Sequence, residues 1–342
     1  MKFRRHRTMW RMASGAVLVG ACGAIAPVAA AGPVNKGWIA ADATWYVHID
    51  SEAAVNSTLG KFAIANRGRL GIAGIDGIRA LGVDPFKDIK SVTIYDTDGD
   101  PEHAVAIASM TSAIERLVDL IKSDPGTRTM TVDGHDLIAF DDKGKTQYWH
   151  VRPGDAPDMR VVLLSDDWKI VTDALRVVNG DSSSLARSPA TSPIAGDAGS
   201  GSIVFIRAAE LPQKVKDNPD PNASALLGQV SGVQIDLGER EGEIYADAQL
   251  YTTSAEDTAN MAQIAQGLVA LGRLITKDNP DLASVSNVLA ATKIEPHDRQ
   301  LQLRFRYESH KVIEAVESML AAKEKEAGRK AKADDDKQEA KP

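Results

Sequence analysis

The sequence predicts an α+β protein made of two similar modules of antiparallel sheet, each with helices packed on one face, related by internal duplication. Three observations lead there. The segment Gly180 to Gly201 is crowded with Ser, Gly, Pro and Ala and has no apolar periodicity, so it reads as a linker that splits the chain into halves. SVTIYDTDGDPEHAVAIASMTSAIE from Ser91 and GVQIDLGEREGEIYADAQLYTTSAED from Gly232 share a hairpin, its turn and a Ser-x-x-acid helix start in the same order. The closing parts also agree: TVDGHDLIAF from Thr131 resembles KIEPHDRQLQL from Lys293, and DWKIVTDAL from Asp167 resembles SHKVIEAVE from Ser309.

The first module, residues 43–180, opens with a strand over Thr44 to Ile49 and a helix started by Ser51. After a glycine-rich stretch come strands Ser91 to Tyr95 and Ala104 to Ser109, joined by the turn Asp96-Thr-Asp-Gly-Asp100. Ser112-Ala-Ile-Glu115 is a capping box that opens a helix to Ile121. Strands follow around Met130 and over Leu137 to Phe140, Gln147 to Val151 and Arg160 to Leu164, and a helix from Asp167 to Val178 closes the unit.

The linker covers residues 181–201 and the second module 202–323. Its strands are Ser202 to Ile206, the hairpin Gly232 to Leu237 with Glu243 to Tyr251, Thr292 to Glu295, and Gln300 to Tyr307. Ser254 caps a helix whose buried stripe is expected to be Met261, Ile264, Leu268, Leu271 and Ile275, and a second helical stretch is expected near Leu282 to Ala290. A helix from Ser309 to Leu320 ends the module, and residues 324–342, dense in both charges and without apolar anchors, are expected to be a disordered tail.

The first 31 residues carry Lys2, Arg4, Arg5, Arg7 and Arg11 without an acid, then an apolar run from Ala13 to Ala26, then small residues to Ala31. That order is an export signal cleaved before Gly32, placing the protein in the periplasm or outside the cell. The apolar run is too short to be a permanent membrane helix, and no later segment is a candidate. The signal also holds the only cysteine, Cys22, in Val19-Gly-Ala-Cys22, which approximates a lipoprotein box, so a lipid anchor at Cys22 is the alternative. No disulfide can form in the mature chain, which must be held by its core alone. Removing the five basic residues of the signal leaves 35 basic against 47 acidic residues, a net charge of −12. That balance excludes a nucleic-acid partner, whose recognition needs concentrated positive charge.

Candidate chemistry is sparse. Asp96, Asp98 and Asp100, with Glu102, resemble the start of a calcium loop, yet the twelfth position is Ile107 and the closing bidentate ligand is missing, so the segment reads as a hairpin turn. His135-Asp136 and His297-Asp298 occupy matching turns of the proposed repeats and are the only nominated catalytic pair. His48 and His150, flanked by Tyr46, Tyr148 and Trp149, read as satisfied sheet residues. Gly144-Lys145-Thr146 is a turn, not a phosphate loop, and Gly68, Gly71, Gly74 and Gly77 read as a flexible connection. No G-x-S-x-G, S-x-x-K or H-E-x-x-H motif is present. No cofactor and no metal are expected.

ADATWYVHID from Ala41 and LGVDPFKDIKSVTIYD from Leu81 resemble a family of uncharacterised secreted bacterial proteins, mainly over the first half. The resemblance implies export and transfers no catalytic residue. The expectation is therefore a non-catalytic binding or scaffolding protein of the cell envelope, with an unidentified envelope partner or small ligand. The alternatives are a periplasmic hydrolase built on the paired turns, or capture of a small ligand in an apolar cleft between the modules lined by aromatics such as Tyr148 and Trp149.

Overall fold

The computed structural model describes residues 34–339 except 73–77, 143, 188–193, 195, 212–223, 225, 226 and 278–289. The export signal, Cys22, Gly74 and Gly77, and most of the expected 282–290 helix lie outside the described residues. Among the described residues twelve strands, numbered in chain order, form one antiparallel sheet in the order β11-β12-β10-β9-β8-β1-β2-β3-β7-β6-β5-β4. They are β1 Trp45–Asp50, β2 Ile89–Asp96, β3 Val105–Thr111, β4 Arg128–Val132, β5 His135–Asp142 and β6 Lys145–Pro153. The remainder are β7 Met159–Ser165, β8 Ser202–Ala208, β9 Val230–Arg240, β10 Glu243–Thr252, β11 Thr292–His297 and β12 Gln300–Glu308. Among the described residues the helices are α1 Ser51–Asn56, α2 Thr58–Ala65, α3 Pro85–Asp88, α4 Ile114–Lys122, α5 Trp168–Asn179, α6 Ala255–Lys277 and α7 Ser309–Glu339.

The α+β class is as expected, but the two halves do not form separate sheets. They join edge to edge where β1 pairs with β8, from Trp45 opposite Ala208 to Ile49 opposite Val204. Within each half the path is alike. A first strand leads to a hairpin (β2–β3, β9–β10), a helix follows directly (α4, α6), and the strand that pairs back onto the hairpin (β7, β12) feeds the closing helix (α5, α7).

Helix placement differs between the halves. In the first half α4 and α5 lie on opposite faces, which corrects the expectation of helices on one face. Val171 and Leu175 of α5 pack with Tyr46, Tyr95, Ile107 and Leu163, whereas Ile114, Leu117 and Ile121 of α4 pack with Val92, Ala108, Val162 and Trp149. The cause is visible in β3 and β7, whose consecutive Val105-Ala-Ile-Ala and Val161-Val-Leu-Leu runs are apolar at every position and so must be covered twice. In the second half the strands alternate. Leu301 is buried and Leu303 and Phe305 half-buried, while Arg304 and Arg306 are exposed, so β12 has one apolar face, and α6 contacts this strand.

Three further expectations are corrected. The linker is tied down: Leu185 and Ile194 are buried in the core, Ser184 bridges to Ala40, and the Tyr46 hydroxyl donates to the Gly196 carbonyl at 3.1 Å. The charged C-terminus continues as helix α7 to Glu339 rather than unfolding at 324, because its Ala, Lys and Glu are strong helix formers. The stripe chosen for α6 faces outward, with Ile264 42%, Leu268 64% and Leu271 52% exposed. The inner stripe is made of small residues: Thr258 and Ala262 are buried, and Ala265, Val269 and Gly272 half-buried. Small side chains let this helix approach the sheet closely, and the Thr258 and Thr252 hydroxyls meet at 2.6 Å. Among the described residues no helix is long and apolar enough to cross a membrane.

The two proposed caps also part company. Ser254 Oγ accepts the Asp257 amide at 3.1 Å and donates to the Asp257 carboxylate at 2.7 Å, a working N-terminal cap. Helix α4 instead starts after Ala113 with no side-chain cap, and Glu115 turns away to bind Arg160 at 2.6 Å. Ser254→Ala is therefore expected to cost about 1 kcal/mol in urea unfolding, and Ser112→Ala to stay within about 0.5 kcal/mol of the parent. Equal losses in the two variants would contradict this assignment.

Candidate functional site

The acidic turn directs its carboxylates to backbone amides of the turn and to two nearby side chains. Asp96 accepts from the Thr44 hydroxyl at 2.5 Å and the Gly99 amide at 3.0 Å, and Asp100 accepts the Glu102 amide at 3.0 Å. Asp98 accepts the Asp100 amide at 2.9 Å and meets His103 Nδ1 at 2.6 Å. The Asp100 amide, then His103, holds Asp98 below the usual carboxylate range, and Asp98 raises His103 in return. Among the described residues no three His, Cys, Asp or Glu side chains converge as metal ligands.

The histidine turns are not brought together. His135-Asp136 begins β5 and His297-Asp298 ends β11, ten places apart in the strand order, a separation of roughly 50 Å at about 4.8 Å per strand. Their turns are also out of register. The left-handed turn residues are Asp133 and Gly134 in one and Asp298 in the other, so His135 follows its turn while His297 precedes its own. Asp136 accepts from Thr131 at 2.7 Å, and His297 lies 3.9 Å from Glu295.

The hairpin register does create one pairing that the sequence did not suggest: the rings of His135 and His150 meet edge to face at 5.5 Å. Placing Ile138 opposite Trp149 is what brings them close. His150 Nδ1 lies 2.9 Å from the Asp136 carbonyl, and burial lowers its pKa. His48 Nδ1 meets the Thr93 hydroxyl at 2.9 Å inside the sheet. Gly144 turns the β5–β6 hairpin, and Gly68 and Gly71 lie in turns after α2.

What the fold does build is an apolar recess between the sheet and α4. Its floor comes from Val92 of β2, Ala108 and Met110 of β3, Val162 and Leu164 of β7, and Trp149 of β6. Ile114 and Leu117 of α4 form the roof, and Ile78, Val83, Pro85 and Ile89 the side wall. The cavity is small, enclosing ≈ 30 Å³. Ala108 of β3 lines it, and its small side chain leaves space that a larger one would occupy. Trp149, packed edge-on against Phe140 at 5.4 Å, stands at its back. Of the two aromatics expected to line a cleft between the halves, Trp149 lines this cavity within the first half and Tyr148 lies on the opposite face.

From this recess an apolar floor runs across the seam. Trp149 stands opposite Leu164, Leu164 opposite Ala106, Ala106 opposite Ile94, and Ile94 opposite Val47. Beyond the seam Val47 faces Ile206, Ile206 faces Ile235, and Ile235 faces Ala248. Leu164, Ile94, Val47, Ile206 and Ile235 all remain half-exposed. Beside this row, Trp45 and its cross-strand partner Asp96 carry buried polar atoms, Nε1 and Oδ2, that have no hydrogen-bond partner.

No family model matches the chain, and no curated protein matches it significantly. Solved structures of TP0453 are similar to it at low levels. Crystal form III gives a TM-score of 0.42 at 9% identity, covering 84% of this chain and 98% of that one. Form I gives 0.39 at 10%, covering 83% and 96%, and form IV 0.40 at 11%, covering 84% and 96%.

One buried acid has a measurable consequence. Asp50 is 3% exposed, caps α1 by accepting the Ala53 amide at 2.7 Å, and leaves Oδ2 unpartnered. Burial raises its pKa to about 6. Between the ordinary carboxylate value and about 6 the folded state binds more protons than the unfolded chain, so stability falls as pH rises through that window and stays reduced above it. Asp50→Asn keeps a capping oxygen and removes the charge. It is expected to raise stability at pH 8 by on the order of 2 kcal/mol and to flatten the pH 4–6 slope in urea titrations. A variant less stable than the parent at pH 8 would contradict this.

Proposed function

We propose that this chain is an exported, non-catalytic binding protein of the cell envelope, and that its ligand site is the recess beneath α4. The observation that carries the reading is the recess itself: a concave, almost wholly apolar site, built into the best-packed half of the sheet with an aromatic side chain at its back. The basic-then-apolar order of the first 31 residues supports export, with release near Gly32 or, in the lipoprotein alternative, anchoring at Cys22. The hydrolase reading is not favoured, because it needs His135, Asp136, His297 and Asp298 to act together across roughly 50 Å.

The mature protein titrated with the uncharged dye N-phenylnaphthylamine should show saturable fluorescence enhancement at one site. Ala108→Trp, which fills the recess from the floor, and Leu117→Trp, which fills it from the helix, should each abolish the enhancement while circular dichroism stays native. Absence of enhancement, or enhancement untouched by a folded filling variant, would sink the reading. Intact-mass analysis of envelope fractions tests the address. A chain beginning near Gly32 supports a soluble exported protein, a diacylglyceryl mass on Cys22 supports the anchored form, and a cytoplasmic chain retaining Met1 refutes export.

A further inference from the structure

We infer that the outward face of α6 is a seam for a second copy of this chain, the two α6 helices packing antiparallel across a two-fold axis near Gly267. This goes beyond the ligand reading and does not rest on the recess, which lies in the other half of the sheet.

The face is apolar where a solvated helix is polar. Ile264, Leu268 and Leu271 point outward, and Leu274 beside them is 66% exposed. None of the residues from Thr258 to Gly272 carries a charge. Ile264, Gly267, Leu271 and Leu274 recur at spacings of three, four and three, the seam along which one helix packs on another. Gly267 is exposed in the middle of that seam, and a side chain added there would point into open space. A glycine weakens a helix interior, and what it offers here is an unobstructed backbone against which another helix can lie closely.

Charge selects the occupant. The first turn of α6 carries Glu256 and Asp257, and its end carries Arg273 and Lys277. An antiparallel pair of identical helices sets the acidic start of each beside the basic end of the other, with the helix dipoles opposed. With the crossing at Gly267, Ile264 of each copy meets Leu271 of the other, and the contact is made twice. A membrane surface fits less well, because interfacial helices flank their apolar face with Lys and Arg. Here the flanks are Asn260, Gln263 and Gln266, and the mature chain is acidic. A seam of about three turns is smaller than the roughly 800 Å² per partner of a standard interface, so the association is weak and reversible.

Sedimentation velocity of the chain from Gly32, over a series of rising concentrations, should show a reversible monomer–dimer equilibrium. Leu268→Gln combined with Leu271→Gln changes side chains that are already exposed, so circular dichroism should stay native while association weakens by about tenfold or more. Gly267→Gln should weaken it likewise, because the monomer has room for the new side chain and the seam does not. Glu256→Arg should also weaken it, and adding Arg273→Glu should restore it, since each reversed charge then meets its opposite on the other copy. The chain from Gly32 has no cysteine, so Gly267→Cys places a lone thiol at the crossing and should give a disulfide-linked dimer on mild oxidation. Asn260→Cys should not, because seven residues on either side of the axis hold its two copies roughly 20 Å apart. A chain that stays monomeric at every concentration overturns the proposal, as does a dimer untouched by the folded Leu268→Gln, Leu271→Gln variant. A monomer that binds phosphatidylglycerol vesicles through these leucines overturns it in favour of a membrane surface, and disulfides at both cysteine positions overturn the antiparallel arrangement.

Discussion

Everything in this structure depends on the pairing of β1 with β8. Each half alone would present its first strand as a bare edge, a row of unpaired backbone groups inviting uncontrolled association. Joined antiparallel, the two edges satisfy each other, and β1 becomes a central strand bonded to β2 on one side and β8 on the other. The seam is packed as well as hydrogen-bonded: Phe205 from the second half sits opposite His48 and lies 5.8 Å from the Tyr46 ring, inside the core that α5 covers. The edges that remain are distant and blunted. Strand β11 carries Lys293 and Pro296, and β4 is short.

A continuous sheet also makes its faces continuous. With two separate sheets, the apolar side of each half would be a local surface to be covered by its own helices. With one sheet, side chains across the seam fall into register, and Val47 and Ile206 connect the floor of the first half to that of the second. The long helices sit toward the flanks of this face, α4 contributing to the core at β2, β3 and β7 and α6 contacting β10, β11 and β12. The seam itself is met by α1, which lies against β1, β2 and β8 and whose Glu52 pairs with Lys90 of β2 at 3.4 Å.

Much of the fold was legible in the sequence because strands and turns are local statements. The hairpin β9–β10 and strands β2, β3, β7 and β12 fall where alternation, apolar runs and turn residues place them, and Ser254 caps α6 as its spacing indicates. The failures share a different cause. The Ser112 box does not close because its reciprocal partners go to distant chain: the Ser112 amide donates to the Asp158 carbonyl, and Glu115 binds Arg160, 45 residues away. Which stripe of α6 faces inward depends on how near the sheet lies, and a close approach selects Ala262 and Ala265 over Ile264 and Leu268. The Gly180–Gly201 segment looked like a spacer because Leu185 and Ile194 are isolated apolar residues, and their burial is decided by the core they happen to reach.

The site was the least legible part, and for a physical reason. A search of the sequence for function looks for reactive groups, and here His135, Asp136, His297, Asp298 and the acidic turn drew attention because they carry chemistry. Their distribution over opposite edges, and their use in turns and ion pairs, is fixed by strand order, which no local pattern encodes. The recess, by contrast, is defined by what is small. Ala108 is inconspicuous in a strand that reads VAIASMT, and only the register that sets it beside Val162, under α4, makes it part of a hollow. An apolar site of this kind is written in the difference between the volume that the neighbouring side chains supply and the volume that helix and sheet enclose. Trp149 follows the same logic: the sequence pairs it with Tyr148, but strand alternation sends the two rings to opposite faces, and only that of Trp149 is buried beside the cavity.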